Sequence, residues 1–453
     1  MGPRPYDGRV PPKSVRRGAL ALLLALAVTG GIALAAATTA DVAVVARQAE
    51  RDDVPLGDLA VVYSVGVAEP DLIAATEQVA AATGAVSTVG RSGTLHVRQV
   101  ARPGAVAYAP PDGYTFPLVF AAYPAPALGW LFGHDVAAAA VPAAGRSGVV
   151  LNAASAELTG AEVGDTLEVI TRSGDAVALR VAAIVPQEVL GGTEVVFVDS
   201  VADRLGETRP TRVVIWGFDD RGAIDAALAD SGLAARRNTQ VARSWDPPKP
   251  DSVLDTLEVK QLLGTPWYRI LDGGNSVTMH PQWQATNLPD NRELLNDQIP
   301  VRARCNVAIV ADLRAALAEV ASAGLGGAID VQNANTYGGC YNPRFARESW
   351  NLSRHSYGIA LDTNTATNCV GCTPTMNCDV VRIFRRHNFA WGGNFYRPDG
   401  MHFEWVGEPR DQVPSRPVDR CPNNVPAASA GGRVAAEPEI GRAALDLGLD
   451  ASS

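Results

Sequence analysis

The order of apolar and polar positions predicts alternating strands and helices over residues 41–243. Runs of β-branched residues are typical of strands, whereas apolar residues that recur every three or four positions are typical of helices. The predicted segments are strands at 59–67 and 211–218, helices at 70–84 and 221–232, and a hairpin at 166–185. Pro70 and Gly84 stand where a helix favours proline at its start and glycine after its end. This mixture indicates an α+β domain.

A second globular unit is predicted over residues 253–410. Its predicted N-terminal helix has an apolar stripe formed by Ile309, Leu313, Leu317 and Val320. The preceding residues 244–252 hold three prolines, which favour a stiff, extended linker. The following residues 411–453 turn to Pro, Ala, Gly and Asn with little aromatic content, so this segment is predicted to be a mostly disordered tail.

The first 40 residues have the pattern of a targeting segment. Several basic residues precede an uncharged apolar run at residues 18–40, and they are Arg4, Arg9, Lys13, Arg16 and Arg17. At about 1.5 Å per residue, a helix over this run is long enough to cross a bilayer. Residues 1–40 are therefore predicted to be either a cleaved signal peptide or an uncleaved membrane anchor. Because the basic flank stays in the cytoplasm, the remainder is expected to be extracytoplasmic, in the cell envelope, and either membrane-anchored or secreted.

Composition and charge narrow the class of protein. The chain has 453 residues, which favours two or three domains rather than one core. Hydrophobic residues make up 47% and charged residues 19%, as in folded proteins. The net charge is −9 and no basic cluster is present, so a nucleic-acid partner is excluded.

All six cysteines lie in the last third of the chain, and they are Cys305, Cys340, Cys369, Cys372, Cys378 and Cys421. An even number of cysteines outside the cytoplasm predicts disulfides. The CxxC spacing at 369–372 is also found in zinc knuckles, but no second CxxC or nearby pair of histidines completes one. The six are therefore disulfide candidates whose pairing stays open.

Two stretches combine a histidine with a carboxylate, "SRHSYGIALD" at 353–362 and "DGMHFEW" at 399–405. His355 and Asp362 are seven residues apart, which on a helix means a rise of about 10 Å. On a flat strand the same spacing places the side chains on opposite faces. A turn or bulge between them, for which Gly358 supplies the backbone freedom, could bring both side chains to one metal ion.

The second stretch has a Pro-Asp-Gly turn signal before an alternating strand. In that strand His402 and Glu404 share a face, and Asp399 precedes it by a turn. Two histidines and one carboxylate suit zinc and leave a fourth position for water, as in catalytic zinc sites. Such a site needs a further carboxylate to accept the proton of the water.

These stretches resemble the signature of a known family. "SRHSYGIALD" fits S-x-H-x-x-G-x-A-x-D and is similar to the motif of VanY-like D-alanyl-D-alanine carboxypeptidases, within the wider group of lysostaphin-type and hedgehog-type zinc domains. Three flanking stretches are similar as well, and they are "NVAIVADLRAALAEVASAGL", "GGCYNPRFARESWNLSRH" and "FRRHNFAWGGNF". The resemblance covers residues 253–410 and implies an α+β zinc peptidase domain with an antiparallel sheet.

Carried over residue by residue, the resemblance implies that Zn²⁺ is bound by His355, Asp362 and His402. It implies that Asp399 is the general base, at a position where many members have glutamate, with Glu404 as the reserve candidate. Arg344 would hold the scissile carbonyl oxygen or a substrate carboxylate, because its planar fork suits both. Ser353 would hydrogen-bond the substrate.

The middle of the chain carries a second resemblance, based on pattern rather than chemistry. "VVLNAASAELTGAEVGDTLEVI" at 149–170 resembles the extracytoplasmic domain of MacB/FtsX-type transporter subunits. This resemblance implies a fold for residues 41–243 and a membrane protein as a possible partner of that domain. The only histidines there, His96 and His134, have no metal-like spacing.

The function expected from these observations is a zinc peptidase acting on peptidoglycan stem peptides. Whether it removes a terminal D-alanine as a carboxypeptidase or cuts inside the stem as an endopeptidase stays open. The alternative is a non-catalytic zinc-containing module that binds cell wall or a partner protein. The replacement of glutamate by Asp399 leaves room for that alternative.

Overall fold

The computed structural model of the protein describes most of the chain between residues 58 and 425. The described residues are 58–64, 66–141, 148–236, 238–271, 276–330, 337–347, 349–416 and 418–425. They belong to one compact unit. The predicted signal peptide or anchor at 1–40 and the part of the predicted tail after residue 425 lie outside the described residues. Within the described part, no helix is both long and apolar enough to span a membrane.

Residues 58–243, called the middle region here, mix strands and helices. Its strands are β1 Ala60–Ser64, β2 Val86–Arg102, β3 Ala105–Tyr108, β4 Phe116–Tyr123, β5 Gly148–Asn152, β6 Thr166–Ile170, β7 Ala176–Val185, β8 Val195–Val198, β9 Arg212–Trp216 and β10 Thr239–Arg243. Its helices are α1 Pro70–Ala82, α2 Ala125–Phe132, α3 His134–Ala140, α4 Ala153–Thr159, α5 Gln187–Leu190, α6 Asp199–Arg204 and α7 Arg221–Asp230. The strands, helices and hairpin predicted for this region are confirmed, and so is its mixed α and β character.

Strand β2 joins two parts of the middle region. Its first residues, Val86–Gly90, pair with β9 in an antiparallel sheet of order β10-β1-β9-β2, against which α1 and α7 pack. Its later residues pair with both β4 and β6. Because β4, β8, β5, β7 and β6 pair in that order, the strands close into a ring. The ring encloses an apolar core that includes Val97, Leu118 and Val181.

Residues 253–425, called the C-terminal region here, form a second core. Its helices are α8 Thr256–Leu263, α9 Pro281–Asn287, α10 Val310–Ser322, α11 Arg354–Tyr357 and α12 Cys378–Arg386. Its strands are β11 Tyr268–Ile270, β12 Val277–Met279, β13 Glu293–Leu294, β14 Arg302–Ala303, β15 Tyr337–Gly339, β16 Ala360–Thr363, β17 Phe389–Trp391 and β18 His402–Trp405.

An antiparallel sheet of order β15-β16-β18-β17 lies at the centre of the C-terminal region. Helices α10 and α12 belong to the same core, to which Leu317, Phe384 and Phe403 contribute fully buried side chains. The predicted apolar stripe of α10 is confirmed, because Leu313, Leu317 and Val320 are all buried within the helix. This sheet supplies two of the three predicted metal ligands.

Three disulfides cross-link the C-terminal region, and they pair Cys305 with Cys340, Cys369 with Cys372, and Cys378 with Cys421. The prediction of disulfides is confirmed, and the structure assigns the pairing that the sequence left open. The third disulfide joins the start of α12 to the beginning of the predicted tail.

The segments predicted as linker and tail contribute side chains to the C-terminal region. Asp251, within the predicted linker, is buried and accepts hydrogen bonds from Arg385 Nε at 2.9 Å and Nη2 at 2.6 Å. In the predicted tail, Asn423 is buried and donates to the carbonyl oxygen of Arg410 at 2.7 Å. Proline content alone did not indicate these contacts, because they depend on partners that are distant in the sequence.

Candidate metal centre

The turn that precedes β16 brings His355 towards the sheet. Ser353 begins the short helix α11, and its Oγ accepts a hydrogen bond from the backbone N–H of His355 at 3.3 Å. Gly358 ends this helix with a φ of 71°, a conformation that glycine adopts without strain. A Cβ at Gly358 would lie 2.8 Å from Leu288 and 3.0 Å from the backbone of Asn306. The predicted turn between His355 and Asp362 is therefore confirmed.

Strand pairing places the other two residues opposite each other. Strands β16 and β18 are antiparallel, and Asp362 and His402 are direct partners in their register. Cross-strand partners have neighbouring side chains on one face of a sheet. Accordingly, Asp362 Oδ1 lies 3.0 Å from His402 Nδ1.

The three side chains converge at one point. His355 Nε2 lies 3.0 Å from Asp362 Oδ2, and the rings of His355 and His402 are 5.1 Å apart. One ligand atom from each of the three residues lies within 4.8 Å of those of the other two. No second group of three such ligands is found among the described residues. This arrangement could hold a metal ion.

Hydrogen bonding shows which atom of His355 faces the centre. Its Nδ1 lies 2.7 Å from the carbonyl oxygen of Cys340, so Nδ1 carries the proton and donates it. Its Nε2 is buried and makes no hydrogen bond of acceptable geometry with any described residue, although Asp362 is close. A buried acceptor nitrogen without a donor is costly in a folded protein. A metal ion would satisfy it, and two imidazole nitrogens with one carboxylate suit zinc.

His402 is held from its other side by a buried carboxylate. Its Nε2 lies 3.3 Å from Glu404 Oε2, and Glu404 Oε1 accepts a hydrogen bond from Arg354 Nε at 2.9 Å. Arg354 Nη2 also donates to the carbonyl oxygen of Leu254. All three side chains are at most 2% exposed. With Nε2–H bound to Glu404, Nδ1 of His402 is left to face Asp362.

The electrostatic environment favours a charged pair in the protein without metal. Burial raises the pKa of Asp362, but the charge of His355 and the hydrogen bond and charge of His402 outweigh it and hold the pKa below its ordinary value. Burial lowers the pKa of His402, but its bonds to Asp362 and Glu404 raise it to about 10. A metal ion that binds here therefore displaces a proton from His402.

Asp399 is a buried carboxylate beside the three ligands. It is 1% exposed, and its Oδ1 has no hydrogen-bond partner among the described residues. Burial raises the pKa of Asp399 to about 7, and the charge of Asp362 adds to the increase. The carbonyl oxygen of Gly392 accepts from the Asp399 backbone at 2.8 Å. A Cβ at position 392 would lie 2.5 Å from the Asp399 carbonyl oxygen, so only glycine allows this approach.

Arg344 and Ser353, the two predicted substrate-binding residues, are neighbours. Arg344 Nη1 donates to Ser353 Oγ at 3.1 Å. Burial lowers the pKa of Arg344, while the charges of Asp362 and Asp399 oppose the shift. The Arg344 guanidinium is therefore within electrostatic range of the metal centre. Ser353 is fully buried and already accepts from two protein donors.

The sequence analysis did not predict the roles that Glu404 and Arg354 have in the structure. Glu404, the reserve candidate for the general base, binds the ring nitrogen of His402 that faces away from Asp362, and its other oxygen is held by Arg354. That reserve prediction was wrong, because the side chain is committed to a buried ion pair. Arg354 was quoted within the motif without a role. The alternating apolar and polar residues of β18 indicated that Glu404 shares a face with His402, but no neighbouring residue indicated that Arg354 would be its partner.

The other described histidines lie outside the metal centre. His387 ends α12 and lies 2.7 Å from Glu319, and His280 begins α9 and contacts Tyr114. His134 begins α3. His96 is buried on β2 of the middle region and lies 2.5 Å from the hydroxyl of Tyr268.

Comparison with known proteins agrees with part of the sequence interpretation. Residues 347–405 match a family described as D-alanyl-D-alanine carboxypeptidase. The matched segment contains His355, Asp362, Asp399 and His402, and ends before the C-terminal tail. Comparison with curated proteins finds no match to the chain. The resemblance of residues 41–243 to MacB/FtsX-type domains has no support and stays a prediction.

The family match indicates a peptidase at a coarse level, and peptidases of this family depend on zinc. The cluster of His355, Asp362 and His402 could bind such a metal. All three residues of this cluster lie within the matched segment.

Proposed function

We propose that the C-terminal region is a zinc-dependent peptidase that hydrolyses peptidoglycan stem peptides. The observation that carries the proposal is the convergence of His355, Asp362 and His402 next to the buried carboxylate of Asp399. The family match at residues 347–405 supports the substrate class. Removal of a terminal D-alanine and cleavage inside the stem are both compatible with this site.

Zinc would be held by His355 Nε2, His402 Nδ1 and the carboxylate of Asp362. When bound, the ion would lower the pKa of a water molecule and polarise the scissile carbonyl group. The residues around it orient the two rings, because His355 donates to the Cys340 carbonyl oxygen and His402 to Glu404. His355 and His402 are buried and Asp362 is only 14% exposed, which limits the access of bulk water.

Asp399 is proposed to act as general base and then as general acid. Its Oδ1 has no partner among the described side chains and can therefore take a proton from the attacking water. A pKa near 7 suits this role, since the group can both accept and return a proton close to neutral pH. The proton would then pass to the leaving amine. The bond from the Asp399 backbone N–H to the Gly392 carbonyl oxygen holds the residue in place beside the candidate ligands.

Arg344 is proposed to bind negative charge on the substrate. Its guanidinium lies near the carboxylates of the site and is oriented by Ser353. A buried guanidinium stabilises a developing oxyanion or a terminal carboxylate more strongly than an exposed one does. A requirement for a free C-terminal carboxylate would favour carboxypeptidase action.

We also propose that the protein acts outside the cytoplasm. Three disulfides cross-link the C-terminal region, and disulfides persist in oxidising compartments. The basic residues and apolar run at 1–40 agree with export. The proposed substrate lies in the same compartment.

The test is cleavage of a defined muropeptide by the full chain. The protein is loaded with zinc, incubated with a pentapeptide stem and analysed by mass spectrometry, with Asp399→Asn and His402→Ala as variants. Release of D-alanine or of an internal fragment by the unmodified chain alone supports a peptidase. Stoichiometric zinc with no cleavage would instead favour the non-catalytic binding module.

A further inference from the structure

Arg344, which is proposed to bind substrate, and Ser353, which orients it, lie on one small hairpin. Residues 344–347 and 349–353, called the 344–353 hairpin here, pair through Phe345 and Leu352. The backbone N–H of Ser353 donates to the Arg344 carbonyl oxygen at 3.1 Å, and that of Ala346 to the Asn351 carbonyl oxygen at 2.8 Å. Ser356 Oγ also binds the backbone N–H and carbonyl oxygen of Arg344, at 2.9 and 2.7 Å. Few backbone bonds join the two strands among the described residues, so the position of the rest of the hairpin depends on what packs against it.

The middle region packs against the outer face of the 344–353 hairpin. Thr94 Oγ1 on β2 donates to Asn351 Oδ1 at 2.6 Å, and both residues are buried. Two residues along β2, the ring of His96 makes an edge contact with Trp350 at 4.9 Å. Arg172 lies in the turn between β6 and β7, and its guanidinium is 4.5 Å above the centre of the same Trp350 ring.

The contact between β2 and the hairpin extends to buried residues of the C-terminal region. His96 also makes an edge contact with Phe345 at 5.4 Å, and Phe345 is stacked with Trp350 at 5.8 Å. The Nδ1 atom of His96 lies 2.5 Å from the hydroxyl of Tyr268 on β11. The apolar side of the hairpin thus packs between β2 and β11, whereas Arg347 is exposed.

Strand β2 is well suited to fix the position of another element. It pairs with β9, β4, β6 and β3, so its backbone is anchored on both edges. The side chains of Thr94 and His96 leave the same face of this strand, because they are two residues apart. A rigid scaffold beneath a short loop is how binding residues are held in place.

We propose that the middle region is part of the substrate-binding apparatus, in which Thr94 and His96 are positioning residues for the 344–353 hairpin and hence for Arg344. This inference rests on the proposed function for the identity of the ligand, a stem peptide. It assigns the middle region a role within the same chain that needs no external partner. Of the candidate metal ligands, Asp362 and His402 lie on β16 and β18, and His355, on α11, is held by its bond to the Cys340 carbonyl oxygen.

The test compares three single variants of the full chain. Thr94→Val removes the hydrogen bond to Asn351 with little change in shape, and His96→Phe keeps the ring but removes the bond to Tyr268. The matched control is Tyr108→Phe, which removes a different bond between the two regions, from Trp267 Nε1 to the Tyr108 hydroxyl at 2.6 Å. Tyr108 and Trp267 both lie outside the 344–353 hairpin.

Two measurements do not require catalysis. Amide hydrogen exchange reports the opening of the bonds of Ala346 and Ser353, and calorimetry with Asp399→Asn as background reports stem-peptide affinity. We expect Thr94→Val to accelerate exchange in the hairpin and to weaken stem-peptide binding, each by about tenfold, the order of one buried hydrogen bond. Zinc affinity should not change, and Tyr108→Phe should leave all three quantities unchanged.

The outcomes separate this inference from the proposed function. If the unmodified chain binds stem peptide but does not cleave it, the peptidase proposal fails, whereas exchange and affinity still decide the role of Thr94. Unchanged exchange and affinity in both Thr94→Val and His96→Phe overturn the positioning role. An equal loss in Tyr108→Phe overturns it too, because the effect would then belong to the whole contact between the regions. Should Thr94→Val fail to fold, His96→Phe carries the same comparison.

Discussion

Replacing Glu404 by glutamine tests whether a buried carboxylate positions a metal ligand. The variant keeps the size of the side chain and one acceptor atom but removes the negative charge that lies between His402 and Arg354. Without that charge, His402 loses the partner that orients its ring and increases the basicity of Nδ1. Removal of such a partner costs about tenfold to hundredfold in metal affinity. This range corresponds to about 1.4–2.7 kcal/mol of zinc-binding free energy.

The same substitution also affects folding, so it needs a matched control. Arg354 and Glu404 are 2% and 1% exposed, and breaking a buried pair costs about 3–5 kcal/mol because one charge is left unpaired. The pair of Arg385 and Asp251 is equally buried, at 0% and 4%, and contacts none of the three ligands. Asp251→Asn should therefore lower the free energy of unfolding to a similar extent without changing zinc affinity.

The assay is competition for zinc against a fluorescent chelator, with unfolding in urea measured in parallel on the metal-free proteins. Weaker zinc binding in Glu404→Gln than in Asp251→Asn, at comparable stability, supports the positioning of His402. Zinc affinity that is equal in the two variants would show that the loss follows stability alone. An unchanged affinity in Glu404→Gln would refute the reasoning directly.

Three further predictions concern the general base, two disulfides and the dependence of stability on pH. Asp399→Asn should reduce hydrolysis by about 10²–10⁴-fold with zinc affinity unchanged, and residual cleavage near the normal rate in a mass-spectrometric assay would exclude Asp399 as the base. Replacing both cysteines of Cys305–Cys340, or both of Cys378–Cys421, by serine should lower the free energy of unfolding by about 4 kcal/mol. This value is the chain-entropy estimate for loops of 35 and 43 residues, and unfolding in urea measures it. Only the Cys305–Cys340 variant should also bind zinc more weakly, because the Cys340 carbonyl oxygen accepts a hydrogen bond from His355. Equal zinc affinities of the two disulfide variants would contradict this. Burial and the charge of a nearby arginine lower the pKa of His96 to about 3 in the folded protein, against about 6.5 when unfolded, so the unfolded chain binds the extra proton. The free energy of unfolding should thus fall by about 1.4 kcal/mol per pH unit as pH decreases from about 6.5, and His96→Phe should lack this component; parallel pH curves for both proteins would disprove it.

Local chemistry made much of the metal centre predictable. His355, Asp362 and His402 lie beside a glycine turn or in an alternating strand, and both features depend only on near neighbours in the chain. The helix α10 was predictable for the same reason, because its apolar stripe lies within one element. Asp399 could be chosen as the general-base candidate because it lies one turn before β18, which carries His402.

Partners that are distant in the chain were not predictable in this way. Two of the disulfides, the ion pair of Arg354 with Glu404 and the contact of Thr94 with Asn351 join residues that are 35 to 257 positions apart. The prolines of residues 244–252 indicated an extended chain but not that Asp251 would be bound by Arg385. In each case the local pattern was compatible with several partners.

The sequence by itself determined the elements, the ligand types and the turn that lets two ligands seven residues apart meet. These depend on backbone preferences and side-chain chemistry, which act over a few residues. Only the tertiary structure decided which ring nitrogen faces the centre, which cysteines pair, and that the middle region packs against the 344–353 hairpin. Those features depend on how separate elements pack, and packing is set by the shape of the whole core.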